Sequence, residues 1–252
     1  MLAVERALLP DNALRNKLRQ VPNGSVLYLP GLDYGNWYTG SIKDYSGNAN
    51  HGTIVGATKV RLPSGLWGLS FDGDDYVTLP VVITSPMWQR TTNFTAFGWS
   101  KITSIGSEQC LIGLGQTVED NTIGFIWIAW PANKSLGITV RDNTNVQVDK
   151  WVTSNSINLV SNTWIFWAVI QTGAVISFVI NGVADAGIHD ATGIINGASF
   201  NNSKTLMGAR QRVSGYLAYQ SGSSDLFGVA SSALSIATLL NFYNQTRWMF
   251  GV

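Results

Sequence analysis

Apolar positions divide the 252-residue chain into three stretches. In residues 1–22, Leu2, Leu8, Leu9, Leu14 and Leu18 are spaced as in a helix, and Asp11 after Pro10 is placed to cap a second short helix. Arg6, Arg15, Lys17 and Arg19 make this the most basic part of the chain. Two readings stay open for this arm: a solvated helix resting on the rest of the chain, or a docking arm for a neighbouring subunit. Pro22-Asn23-Gly24 ends the pattern, and strand-like runs punctuated by turns follow. They cover 26–29, 67–71, 76–79, 94–101, 109–114, 124–130, 136–141, 146–152, 164–171, 175–181, 205–208 and 225–229. The expected organisation is therefore an arm at 1–22 and one domain at 23–252.

The run from Trp164 sets the layering. Trp164, Phe166, Ala168 and Ile170 share one face of an extended chain, and Ile165, Trp167 and Val169 share the other. A strand apolar on both faces is central, with a second sheet over one side and loops or a partner over the other. Near the end, Ser235 is placed as the N-cap of a helix whose stripe is Leu239, Leu240, Phe242 and Tyr243. The apolar ending Trp248-Met249-Phe250-Gly251-Val252 should pack onto the sheets or onto a neighbour.

Two turns carry the most information. Residues 44–52 read D-Y-S-G-N-A-N-H-G, and residues 71–77 read F-D-G-D-D-Y-V. Gly47, Gly52 and Gly73 are expected at positive φ, and Asp44, Ser46, Asn48, Asn50 and Asp72 to bond their own local backbone. This pair resembles the opening of the laminin-G-like jelly roll of the concanavalin A-like lectins and glucanases. The resemblance continues in Phe94-Thr95 with Trp99, in Trp164 with Ala168-Val169, and in the Asn181-Gly182 hairpin, which suits a two-residue type I′ turn. Asp225-Leu226-Phe227-Gly228 and Leu234-Ser235 with Leu239-Leu240 complete it. One departure is Thr238, which stands where the family's closing helix usually carries a glutamate. The fold implied is all-β: a two-sheet antiparallel jelly-roll sandwich, with an N-terminal helical arm and a short C-terminal helix.

Composition narrows the function classes. Charged residues make up 12% of the chain, about half of the usual ~25%. With a formal net charge of +1 no global field favours nucleic acid or an anionic membrane, so neither is expected as a partner. A single cysteine, Cys110 in an apolar run, excludes an internal disulfide and reads as a buried, inert thiol. No apolar run approaches the ~18 residues of a membrane helix, and the first residues lack the apolar core of a secretion signal. Sequon-like runs at Asn23, Asn93, Asn133, Asn201 and Asn244 therefore carry little weight.

Catalysis is not expected. Some relatives of the fold hydrolyse glucans with closely spaced carboxylates on one strand, one acting as acid and the other as nucleophile or base. Here the glutamates are Glu5, Glu108 and Glu119, none in that spacing, and Glu119-Asp120 reads as a loop tip. Asp72, Asp74 and Asp75 belong to a turn, with a structural role or a calcium site as the two readings. The resemblance implies that Asp44 and Asp225 can help hold such an ion, but no metal and no cofactor is assigned. His51 is a hydrogen-bonding group of its turn, and His189-Asp190 lies without a nucleophile-elbow motif.

Glycan binding would use aromatic platforms. Candidates are Trp37, Tyr38, Trp88, Trp130, Tyr216 and Tyr219, each with a core or loop-anchoring role as the alternative. Two functions remain. The first is a structural or adhesion component of a larger assembly, by family analogy a phage or viral surface protein such as a capsid decoration, fibre or tail component. It would contact other subunits through residues 1–22 and the C-terminal tail, placing it on the virion surface. The second is a lectin-like carbohydrate-binding protein, extracellular or at a cell surface, with a glycoside hydrolase as a distant third.

Overall fold

A computed structural model describes residues 21–30, 40–80, 93–115, 124–128, 135–140, 150–153, 159–173, 175–185, 189–190, 204–212 and 215–252. Strands β1 (Ser25–Leu29), β2 (Ser41–Ile42), β3 (Gly52–Val55), β4 (Thr58–Arg61), β5 (Trp67–Asp72) and β6 (Tyr76–Leu79) open the order. The middle supplies β7 (Phe94–Ile102), β8 (Gln109–Gly115), β9 (Gly124–Ile128), β10 (Leu136–Val140), β11 (Lys150–Thr153), β12 (Trp164–Thr172) and β13 (Val175–Ile180). Then come β14 (Val183–Ala184), β15 (His189–Asp190), β16 (Lys204–Met207), β17 (Arg210–Arg212), β18 (Gly215–Leu217) and β19 (Ser221–Ala230). Helix α1 (Ile236–Thr246) and a 3-10 turn at Arg247–Met249 follow.

The strands form two large antiparallel sheets. The first runs β14-β13-β12-β7-β19-β5-β4, with β1 on β19 and β15 on β13; the second runs β11-β10-β9-β8-β16-β6-β3-β2. One core lies between them, with Phe71, Trp167, Phe178 and Phe227 from the first sheet meeting Val77, Ile112, Ile138 and Met207 from the second. A second apolar layer covers the opposite face of the first sheet. It answers the two-faced β12: Phe166 and Ile170 turn towards α1 and the chain end, while Trp167 and Val169 turn inward. The outer cover is thus the chain's own helix and tail.

That layer is built around Trp99. Its ring stacks on Phe250 at 4.2 Å and on Tyr243 at 5.6 Å between centroids, and its Nε1 donates to Thr246 Oγ1 at 3.0 Å. Leu239 and Phe242 are the buried residues of the expected stripe; Leu240 is exposed. Ser235 caps α1 as expected, its hydroxyl oxygen accepting from the Thr238 N–H at 3.1 Å. The Asn181-Gly182 hairpin has φ +49° and +78° at its two loop residues, as a type I′ turn requires.

The expected turn chemistry holds at Gly47 and Gly73, with φ +91° and +115°, but not at Gly52. Gly52 has no positive φ; a Cβ there would lie 2.6 Å from Val77 and 2.8 Å from Ile42. Its role is close packing inside the core. The arm at residues 1–20 lies outside the described residues.

Candidate functional site

The 44–52 turn is a staple. Asp44 Oδ1 accepts from the Tyr28 N–H and the Ser46 N–H, each at 2.8 Å. Its Oδ2 accepts from the Ser46 hydroxyl at 2.7 Å and from the Asn50 N–H at 2.9 Å. Asn50 Nδ2 donates to the Val26 carbonyl at 2.8 Å, and the Asp44 N–H donates to His51 Nδ1 at 3.0 Å. The bonds therefore reach beyond the turn and tie it to β1. With both oxygens engaged, the Asp44 carboxylate is a structural acceptor.

The acidic turn divides in two. Asp75 is buried, accepts from the Asp72 N–H at 2.9 Å, and fills the space over Gly56, which no Cβ could share. Asp72 and Asp74 are exposed and share a hydrogen bond between carboxyls, which lowers Asp72 and raises Asp74. One oxygen from each of these three residues falls within 4.8 Å of the others, a spacing open to a hard cation. Their placement in a β5–β6 turn is explained by Asp75 alone, so the group is structural first. Asp225 joins no such group among the described residues. It is buried on the helix side of the first sheet, beside the Trp99 strand and Gly68.

The outer face of the second sheet carries a different arrangement. Ile112 belongs to the inner core, so its neighbour Gly113 points outward. A Cβ on Gly113 would lie 2.8 Å from the Ala209 carbonyl oxygen and 3.0 Å from the Arg210 Cα. The missing side chain lets the β17–β18 ribbon lie flat across β8. Its base is fixed by the Cys110 N–H donating to the Ala218 carbonyl at 2.8 Å and the Gln220 N–H donating to the Gly208 carbonyl at 2.7 Å. Arg210 Nη1 meets Glu108 Oε1 at 3.2 Å, with both side chains largely buried. Burial pushes the Cys110 thiol well up; the Arg210 charge opposes this and Glu108 adds to it.

Of the expected ligand-binding aromatics, Trp37, Tyr38, Trp88 and Trp130 lie outside the described residues. Tyr216 and Tyr219 are brought to this ribbon, Tyr216 opposite Gln211 in the ladder and Tyr219 half-buried at its base. Sequence reasoning missed Arg210 and Glu108. The signal available was the cluster Arg210-Gln211-Arg212 in a chain with only 12% charged residues.

Residues 71–238 match the family model described as Concanavalin A-like lectin/glucanases superfamily. No curated protein matches. Among solved structures, the receptor-binding domain of the botulinum neurotoxin C/D mosaic serotype superposes with a TM-score of 0.62 at 16% identity, over 89% of this chain and 52% of that one. The botulinum neurotoxin serotype D ligand-binding domain, solved in complex with N-acetylneuraminic acid, gives 0.60 at 15%, over 90% and 52%. Domain 4 of AbnA, an extracellular arabinanase from Geobacillus stearothermophilus, solved in complex with arabinotriose, gives 0.60 at 14%, over 86% and 99%. This chain spans about half the length of the toxin domains. At these identities the likeness is one of fold.

Proposed function

The chain belongs to the Concanavalin A-like lectin/glucanases superfamily, and from that premise we propose that it is a non-catalytic recognition module that binds a glycan on its ribbon-bearing sheet. The observation that carries the reading is the β17–β18 ribbon. Gly113 lets it cross the sheet, an Arg210–Glu108 pair is held beneath it, and Tyr216 lies in its ladder with Tyr219 at its base. A sugar needs polar partners for its hydroxyls and an aromatic platform for a ring face, and the sequence of the ribbon carries residue types of both kinds. Neighbours of the same fold solved with N-acetylneuraminic acid or arabinotriose support the ligand class by analogy. On the catalytic side, Glu108 is tied to Arg210, Asp44 is saturated by N–H and O–H donors, and Asp225 is buried under the helix side.

The module acts in adhesion as part of a larger assembly; a virion surface is the setting that its low charge favours. Binding is tested on a glycan array and by calorimetry, with and without calcium. Selective binding is expected, with Tyr216→Ala weakening affinity about tenfold by loss of stacking at unchanged melting temperature. A blank array in both conditions overturns the reading.

A further inference from the structure

The helix-side layer leaves an apolar flank open. Val183 is 69% exposed, Ile236 45% and Leu240 42%. These residues are adjacent, because the Leu240 and Tyr243 side chains close over Gly182, the hairpin residue next to Val183. Ile236, Leu240 and Tyr243 are spaced i, i+4, i+7 and form one edge of α1, separate from the buried Leu239 and Phe242. Nothing charged interrupts α1, whose sequence is IATLLNFYNQT.

The described chain begins on the same layer. Val21 packs against the helix-side cluster. The Pro22 carbonyl accepts from the Ser25 N–H, and the Gly24 carbonyl from the Ser231 N–H, each at 3.1 Å, just ahead of α1. Leu14, Leu18 and Val21 are themselves spaced i, i+4, i+7. Val21, the residue that follows them, is already seated on the helix-side layer. Twenty residues reach about 30 Å even when fully helical, more than the ~10–12 Å width of the helix to be crossed.

We propose that residues 1–20 of the same chain dock on the apolar flank made by Val183, Ile236 and Leu240, with Leu14 and Leu18 as the anchors. Arg15, Lys17 and Arg19 then face solvent. The inference does not depend on the ribbon face binding a sugar.

Hydrogen exchange of α1 in the full-length protein, read with dye binding to apolar surface, tests it. Leu14→Asp with Leu18→Asp should speed exchange in the first two turns of α1 about tenfold, the factor that corresponds to ~1.4 kcal/mol, and raise dye emission. Leu240→Asp should do the same, and adding it to the arm variant should change little more, because both remove one contact. Unchanged exchange and dye binding in the arm variant overturn the proposal. So does wild-type protection that falls on dilution, which would assign the arm to a neighbouring copy. Glycan binding is read in a separate assay, so a failure there leaves this result standing.

Discussion

Asp225 sits where β19 passes from β5 to β1 on one edge, at a register shift against β7, and Leu226 beside it has φ +49°. Its Oδ2 has no hydrogen-bond partner, and burial pushes its carboxyl well above the ordinary range, with the Leu226 N–H opposing. The Tyr28 phenol is pushed up too, by burial first and then by the Asp225 charge. The folded protein therefore holds the Asp225 proton more tightly than the unfolded chain does. Stability from this group is fully present below the unfolded value of ~3.9 and is lost as pH rises through the folded value. Asp225→Asn keeps the shape without the charge. Thermal melts from acid to neutral pH should show the variant gaining on the wild type as pH rises; a variant weaker at every pH would mean the carboxylate is a satisfied anion. Asp44 matters through its hydrogen bonds. Asp44→Ala strands the buried Tyr28 N–H and unfastens the turn from β1, and should cost about 3 kcal/mol in urea unfolding.

Among the elements, α1 depends on its cap and on the hairpin below it. Ser235→Ala should cost about 1 kcal/mol, since the Thr238 N–H loses its acceptor. Gly182→Ala should cost about 2 kcal/mol: its φ is +78°, and a Cβ would meet Leu240 and Tyr243 at 2.8 Å. Both are measured by thermal or denaturant unfolding. The long strands were legible in the sequence because burial on one or both faces writes its period into the residues, as at Trp164–Thr172 and Phe94–Ile102. Their cover was half legible: the C-terminal stripe showed a packed helix, but β12 alone did not say that this helix would lie over it. The short strands β2, β3, β4, β14 and β15 escaped, being too brief to show a period. The ribbon escaped for a different reason. Arg210 to Arg212 has no apolar alternation, and what holds it in place is an absent side chain at Gly113, nearly a hundred residues earlier. Two of the six aromatics proposed for sugar contact reached that ribbon because turn-rich polar sequence and tyrosine coincide there.

At the scale of the whole molecule, the two outer faces are built differently. The helix-bearing face is covered by aromatic packing, and the other is crossed by the β17–β18 ribbon with the Arg210–Glu108 pair at its base. No helix among the described residues is long and apolar enough to cross a membrane. A truncation ending after Ala230 would strip Trp99 of Thr246, Tyr243 and Phe250, and is expected to expose apolar surface and precipitate in a solubility assay. Then there is the place of β19 at the centre of the first sheet, shared by β1, β5 and β7. It pairs Ser25 with Ala230, so everything between those two residues must be synthesised before the sheet can close. Until that last strand arrives, earlier strands wait with open edges. For a chain so poor in charge, the hazard is concentrated in the seconds of its synthesis.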